Sequence, residues 1–167
     1  YRAKIAIVKD NKGDLGSSDN YRCIAIAGTM SKLFELIVLH YMSGVVNISD
    51  AQFGFRKGCS TDLCCDIFKR AVSSFCNEGS YVFACFVDLR KAFDMVNYWK
   101  LFDMLLELGV DKGVVRVLSS MYTNQRMCVR WDGHSSSDFP CLNGVRQGSP
   151  LSPFLFSVYI DYVLRGI

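Results

Sequence analysis

The sequence is poor in proline, with only three in 167 residues, and it contains no long hydrophobic run. Its longest stretches without Asp, Glu, Lys or Arg, residues 36–49 and 147–160, have fourteen residues each, whereas a membrane span needs about 18. No basic and then apolar leader opens the chain, so we expect neither a secretory signal nor a membrane partner. With 50% hydrophobic residues, 21% charged residues and a net charge of +3, the chain is not a disordered or highly charged tail.

The length of 167 residues fits one domain with a sizeable core. Because the chain begins with Tyr1 and its last segment stops within a pattern, we expect it to be a piece of a longer protein. It has eight cysteines but no Cys-x-x-Cys pair, and His40 and His134 lie far from any pair of cysteines. A zinc or disulfide framework is therefore disfavoured, and we expect free, largely buried thiols in a reducing compartment.

Hydrophobic periodicity predicts an α+β fold with an antiparallel sheet packed on helices. The clearest helix is Thr61–Asn77, which has apolar residues on one side and Ser60 or Thr61 as its cap. The continuous apolar run 81–87 is typical of a strand buried on both faces. The other predicted strands are residues 3–8, 22–27 and 126–132, and the other predicted helices are residues 31–42, 99–108, 111–122 and 151–164.

Local signals accompany several of these elements. The segment of residues 9–20 is typical of a hairpin loop that joins the first two strands. Asp111 is the expected cap of one helix, and Pro150 and Pro153 mark the start of the last. Helical spacing in residues 31–42 places five apolar residues on one face: Leu33, Phe34, Ile37, Val38 and Tyr41.

Two segments carry possible chemistry. In the first, FVDLRKAFDMV (residues 86–96), Asp88 ends the apolar run and a polar turn follows. A carboxylate at a sheet edge suits a metal ligand, although a turn or capping aspartate is the simpler interpretation. The second segment, residues 143–157, is a loop that leads into a helix, with Arg146 and Gln147 at its mouth. Its glycines Gly144 and Gly148 permit close backbone approach, and a helix start attracts phosphate.

Taken together, these segments resemble two motifs of reverse transcriptases. Residues 86–96 are similar to the first catalytic motif, and residues 144–154 are similar to the later Gln-Gly-Ser-Pro motif. Upstream, NYRCI (residues 20–24) and QFGFRKGCST (residues 52–61) match further blocks in the same order. The resemblance is to the enzymes of non-LTR (long-interspersed-type) retrotransposons and covers nearly the whole chain.

The resemblance implies a reverse-transcriptase fingers and palm fold that is incomplete at the C-terminus. The fingers and connecting palm helices would occupy about residues 1–80 and 97–140, and the palm motifs residues 81–96 and 141–167. It implies RNA-directed DNA polymerisation in the intact protein, with an RNA template, a DNA primer, deoxynucleoside triphosphates and the rest of the retrotransposon polyprotein as partners. It also implies an intracellular location, in cytoplasm and nucleus.

The resemblance also implies roles for individual residues. Asp88 would be the first metal-binding carboxylate and the Leu89 carbonyl a backbone ligand, in a centre that holds two Mg²⁺ ions, or Mn²⁺, in the intact enzyme. Phe93 would lie under the incoming sugar, with core packing as its alternative role. Arg56 and Lys57 would contact the template, with a solvated loop as the alternative. The remaining implied nucleotide contacts are Lys9, Arg22, Lys91, Ala92, Gln147 and Gly148.

Three departures from the family pattern stand out. Cys23 replaces a proline and Cys59 a basic residue, and the sequence contains no Asp-Asp dipeptide, although paired aspartates end the family's next motif. Asp161 is the only carboxylate after Gln147, and it is a poor substitute. We therefore expect this fragment alone not to polymerise, and a degenerate, inactive remnant or a nucleic-acid-binding module remain the alternatives.

Overall fold

The computed structural model describes residues 2–9, 16 and 20–164 of the chain. These residues form a mixed α+β fold, as the sequence predicts. The strands are β1 (Arg2–Lys9), β2 (Tyr21–Ile26), β3 (Arg126–Trp131), β4 (His134–Ser135) and β5 (Phe139–Pro140). The helices are α1 (Thr29–Val45), α2 (Thr61–Asn77), α3 (Tyr98–Glu107), α4 (Lys112–Thr123) and α5 (Ser152–Leu164).

The five described strands form one sheet in the order β2-β1-β3-β4, with β5 also paired to β3. Strands β1 and β2 are the predicted antiparallel hairpin, with Ile5 opposite Ala25. Strands β1 and β3 run parallel, with Ala3 opposite Met127. The expected antiparallel sheet is therefore confirmed only in part, because β1 and β3 are parallel while the other strand pairs are antiparallel. Between β1 and β3 the chain passes through β2 and four helices, a long connection of the kind that two parallel strands require.

The two faces of this sheet differ sharply in polarity. Ala3, Ile5, Ala25 and Met127 are buried on one face, in the alternating pattern that a half-buried strand produces. The residues between them in sequence point the other way, and most are exposed. Among the side chains that the structure describes, the charged ones on that outer face are Lys4, Arg22, Arg126 and Arg130.

Side-chain caps set the starts of three helices. The Ser60 hydroxyl accepts a 3.1 Å hydrogen bond from the Leu63 amide at the start of α2. The Asp111 carboxylate accepts from two amides at the start of α4, and Asn97 caps α3. These caps satisfy amides that have no partner inside the helix. They confirm the predicted cap of α2, with Ser60 rather than Thr61, and the predicted cap at Asp111.

Helices α3, α4 and α5 form the core with the C-terminal part of α1. The fully buried side chains include Met42, Leu101, Leu105, Leu118 and Leu155. Helix α3 ends at Glu107 and is followed by Gly109 at φ +84°, the left-handed residue expected after a helix. This cluster is the rigid base on which the loops described below are held.

In two helices, α1 and α2, the apolar face that the sequence predicts to be buried is largely exposed. Helix α1 buries Glu35, Val38 and Met42, whereas Leu33 and Ile37 are about half exposed or more. The helix is apolar on several sides, so hydrophobicity alone did not select the face that packs. Helix α2 has the predicted bounds but buries none of its residues. Its apolar side chains are 41–55% exposed at Leu63, Ile67 and Phe75, and the ring of Phe68 meets that of Phe86.

The prediction of a strand over residues 81–87 is also wrong, because the described chain has no strand there. Residues 80–89 have no regular secondary structure and are exposed, with Phe83 95% and Val87 81% accessible. A strand is defined by hydrogen bonds to a neighbour, and no described strand pairs with this segment. The apolar run alone therefore did not make it a strand.

The cysteines are free, as predicted, but the expectation that they are largely buried is wrong. Only Cys128 is buried, Cys59 and Cys141 are partly exposed, and the other five are exposed. Several of them lie on α2 and the following segment, whose apolar sides are uncovered in the described chain. No described helix is both long and apolar enough to cross a membrane.

Candidate functional site

The glycine-rich loop before α5 lies alongside the segment that follows Asp88. The Gly144 amide donates to the Val96 carbonyl at 2.9 Å, and the Val145 amide donates to the Phe93 carbonyl at 2.8 Å. Gly144 has φ +88°, and a Cβ there would lie 2.8 Å from the Asp94 Cα. A residue with a side chain cannot make this approach without displacing backbone. The two motifs identified in the sequence are thus adjacent in the fold.

The same loop also contacts the free edge of β2. The Ala25 amide donates a 2.7 Å hydrogen bond to the Gln147 carbonyl. Gly148 follows at φ +98°, and a Cβ there would lie 3.0 Å from the Ala25 oxygen and 3.1 Å from a methyl group of Ile24. Gln147 and Gly148 are therefore held against the strand that carries Arg22.

A tight turn follows Asp88, as the sequence predicts. The amides of Asp94 and Met95 both donate to the Lys91 carbonyl, at 2.9 and 3.1 Å. Lys91 itself has φ +51°, a left-handed conformation that is uncommon outside glycine and that marks a constrained turn. Asp88 and Lys91 are exposed, and Ala92 is partly buried inside the turn.

A cavity of about 120 Å³ lies where β2, the turn and the loop meet, and Cys23, Asp94 and Gln147 are among its lining residues. Partial burial raises the pKa of the Asp94 carboxyl, and the Lys91 ammonium opposes this effect. Burial also raises the pKa of the Cys23 thiol, and the nearby Asp94 charge adds to the rise. Both effects favour the neutral forms of these groups.

Phe93 lies between two other aromatic rings. Its ring centroid is 4.9 Å from that of Phe156 in α5 and 5.8 Å from that of Phe55. Phe55 has φ +56° and is 67% exposed, so a strained loop residue covers the outer side of Phe93. Phe93 is itself partly buried. Its position is compatible with both of the roles considered for it.

The cations assigned to the template do not behave alike. Arg56 is exposed and forms a close ion pair with Asp50 of its own loop, and this hydrogen bond raises the pKa of the Arg56 guanidinium. Part of its charge is therefore already compensated. Lys57 is exposed beside it. Of the residues assigned to the triphosphate, Arg22 is exposed on β2, and the side chain of Lys9 lies outside the described residues.

A buried polar cluster that the sequence did not predict lies beneath the loop. Glu35 of α1 is fully buried and accepts a short hydrogen bond from the Ser149 hydroxyl. It also forms an ion pair with Arg146 at 3.5 Å. The Arg146 guanidinium lies over the Tyr122 ring, 4.8 Å from its centroid, and burial raises the pKa of Tyr122. The only sequence signal was one acidic residue in the apolar part of α1.

Asp161 has a structural position in α5. It is buried and accepts hydrogen bonds from the Ser49 amide at 2.9 Å and from the Gln52 side-chain amide at 2.7 Å. It therefore ties the loop of residues 49–57 to α5.

The described residues fit a magnesium site only in part. Mg²⁺ requires near-octahedral oxygen ligation, and Asp88 and Leu89 lie on an exposed, irregular segment. Among the described residues, no group of three or more His, Cys, Asp or Glu side chains is placed to hold a metal ion. These residues alone therefore do not complete such a site.

Comparison with known families agrees with the fold and with the two adjacent motifs. The family model described as "Reverse transcriptase (RNA-dependent DNA polymerase)" matches residues 8–167. The chain therefore belongs to the reverse transcriptase family. The resemblance inferred from the sequence motifs is confirmed.

Individual relatives come from insect retrotransposons. The chain is 29% identical over 156 residues to a retrovirus-related Pol polyprotein from type-1 retrotransposable element R2 of Popillia japonica. It is 31% identical over 148 residues to a probable RNA-directed DNA polymerase from transposon BS of Drosophila melanogaster. A relative from mobile element jockey of the same species is 29% identical over 146 residues.

These alignments cover most of this chain but little of each relative. They include 93%, 86% and 84% of the chain. The chain spans 22%, 16% and 16% of the three relatives' lengths. It thus corresponds to a small part of each polyprotein or polymerase.

Proposed function

We propose that this chain is the fingers and first palm portion of an RNA-directed DNA polymerase of a non-LTR retrotransposon, where it binds the incoming nucleotide and the template. One observation carries the proposal. The loop of Gln147 and Gly148 is hydrogen-bonded on one side to β2, which bears Arg22, and on the other to the turn that bears Phe93. Three separate sequence motifs contain residues that we assign to the same nucleotide: Arg22, Phe93 and Gln147. Backbone hydrogen bonds connect the segments that carry these residues.

In this proposal the residues divide the work of binding. Arg22, with Lys9 and the turn amides near Lys91 and Ala92, would hold the triphosphate, since cations and backbone amides bind phosphate. Phe93 would lie under the sugar. Gln147 would contact the nucleotide and the template, and Gly148 would leave room for the backbone of β2, as its close approach to Ala25 supports.

Asp88 and the Leu89 carbonyl would be part of the ligand set for Mg²⁺, or Mn²⁺, in the longer enzyme. The family's metal ions stabilise the attacking and leaving oxygens of nucleotidyl transfer. Asp161 is already bound to Ser49 and Gln52, which favours a second candidate function for this chain by itself. Alone, it would bind nucleic acid without polymerising.

The outer sheet face supports binding to a polyanion. Apart from Arg22, which we assign to the triphosphate, Lys4, Arg126 and Arg130 project from two neighbouring strands on this face, and exposed cations of this kind bind phosphates by releasing counterions. Arg126 donates one hydrogen bond to the Asp138 carbonyl, which fixes its orientation. We place the template backbone across this face and beside Lys57.

The deciding experiment is a chimera in which this chain replaces the matching segment of the transposon BS relative. We expect extension of a DNA primer on an RNA template, and loss of that extension by orders of magnitude in Asp88→Asn. Asp103→Asn on the exposed surface of α3 is the matched control. A folded chimera that binds primer–template without extending it, or that extends it equally well without Asp88, would contradict the proposal.

The chain alone tests the second candidate. Its affinity for a single-stranded RNA oligonucleotide should fall steeply with salt. Replacing Arg126 and Arg130 with Gln should flatten the log–log salt dependence by up to about two units, whereas Lys112→Gln with Arg116→Gln on α4 should leave it unchanged. Robust primer extension by the 167-residue chain would exclude the binding-only function.

A further inference from the structure

The buried carboxylate of Glu35 contacts both flanks of the Gln147–Gly148 turn. One carboxylate oxygen is 3.5 Å from an Arg146 guanidinium nitrogen. The other accepts the hydrogen bond from the Ser149 hydroxyl. A single side chain of α1 therefore holds the residue before the turn and the residue after it.

Burying the charged pair of Glu35 and Arg146 is energetically unfavourable if its only role is to stabilise the fold. The side chains of Glu35 and Arg146 are 0% and 1% exposed, and taking two charges out of water costs several kcal/mol per ion before their attraction offsets it. Apolar residues of similar volume would fill this space at least as favourably, as in other proteins with buried ion pairs. The Glu35 carboxylate adds direction, because it accepts the Ser149 hydrogen bond with one oxygen and attracts the Arg146 guanidinium with the other.

Other contacts extend the same support. The Arg146 guanidinium lies on the face of the Tyr122 ring, 4.8 Å from its centroid, so it cannot shift toward α4. The Gln147 carbonyl accepts from the Ala25 amide at 2.7 Å. The turn is thus fixed to α1 through side chains and to β2 through its backbone.

We propose that Glu35 is a positioning residue that sets where Gln147 and Gly148 meet the incoming nucleotide. The inference rests on the proposed function, since it takes these two residues as nucleotide contacts. Glu35 acts through Arg146 and Ser149 and touches no substrate itself. Small errors in such positions are costly because binding groups must lie within a few tenths of an ångström of their partners.

The test separates positioning from stability with a double variant of the full chain, Glu35→Leu with Arg146→Met. It removes both charges and keeps the space filled, so the unfolding free energy should be unchanged or higher. Hydrogen exchange of the Ala25 amide and of residues 144–149 should accelerate, whereas exchange in α3 should not. Affinity for deoxyguanosine triphosphate with Mg²⁺ should fall about tenfold or more.

The control is Val115→Ala, which removes a buried side chain of α4 away from the turn. It should lower the unfolding free energy without selectively accelerating exchange in residues 144–149. The Glu35→Gln single variant leaves Arg146 without its charged partner and should be less stable than the double variant.

Two results would overturn the inference: unchanged exchange in residues 144–149 of the double variant, or faster exchange there with unchanged nucleotide affinity. Failure of the proposed function looks different, because the unsubstituted chain would then show no affinity for the nucleotide. In that case the inferred positioning of nucleotide contacts fails with it. The exchange data would still decide whether Glu35 holds the turn.

Discussion

Gly144 lies directly against the backbone of Asp94, so that a Cβ at residue 144 would come within 2.8 Å of the Asp94 Cα and 2.9 Å of its carbonyl oxygen. The approach allows the loop before α5 to pair with residues 93–96. The close packing of the two motifs therefore requires glycine, the residue without a Cβ, at position 144.

We expect Gly144→Ala to be strongly destabilising. The left-handed backbone costs about 1–2 kcal/mol for a residue with a Cβ, and the overlap with Asp94 adds about 1–3 kcal/mol. Gly133→Ala is the matched control, since Gly133 has φ +78° but no atom within 4 Å of the added Cβ. Denaturant unfolding of both variants separates the two costs. Equal losses of stability would mean that the loop does not approach Asp94 this closely.

A second prediction concerns Asp161. Asp161→Ala removes the acceptor for the Ser49 amide and the Gln52 side chain, and leaving such groups unsatisfied costs about 1–3 kcal/mol. We expect lower stability and faster proteolytic cleavage in the loop of residues 49–57. Asp103→Ala, at an exposed position of α3, should have little effect. Unchanged loop cleavage in Asp161→Ala would contradict this structural role.

The sequence predicted the elements whose causes are local. The amphipathic repeat and Ser60 define α2 to the residue, and Asp111 and Gly109 mark the boundary between α3 and α4. Pro150 and Pro153 likewise announced α5. Each of these signals depends on neighbours within one turn of the chain, so a single sequence contains it in full.

The features that the sequence did not predict depend on distant partners. Residues 81–87 have strand composition, but pairing decides whether a strand forms. Glu35 looked like an interruption of an apolar helix, and its burial follows from Arg146 and Ser149, more than a hundred positions away in sequence. The candidate site was predicted as separate motifs. The sequence alone did not show that Glu35, Arg146 and Ser149 form a buried cluster beneath the loop of one of these motifs.

The raised pKa of Asp94 predicts a pH-dependent effect. Partial burial favours its protonated form in the folded state, so its contribution to stability is complete below the unfolded pKa of about 3.9 and is lost as the pH rises through the folded pKa. Asp94→Asn, which is neutral at all pH values, should therefore be more stable than the parent at pH 7. That advantage should shrink on acidification.

Urea unfolding of both proteins between pH 7 and pH 4 measures this difference. Asp103→Asn controls for the substitution itself. If Asp94→Asn is less stable than the parent at pH 7 and this loss shrinks at pH 4, then the Asp94 charge makes a favourable contact in the fold that outweighs its burial.

The last prediction concerns the role of Phe93. Its place in the turn after Asp88, between the rings of Phe55 and Phe156, would set it beneath the sugar of a bound nucleotide and leave no room for a 2′-hydroxyl. Exclusion of this kind works by steric clash, so a smaller side chain should relax it without adding a contact. In the chimera, Phe93→Ala should raise ribonucleotide incorporation relative to deoxyribonucleotide by orders of magnitude, and Phe93→Tyr should hardly change it.

The alternative role, core packing, predicts a different pattern. Phe156→Ala removes a ring from the same stack and should lower stability while sugar selectivity stays at the parental level. If Phe93→Ala behaves like Phe156→Ala, with a lower melting temperature and parental selectivity, then Phe93 only packs. The contrast between these two variants of one aromatic stack separates a ring that meets the nucleotide from a ring that supports it.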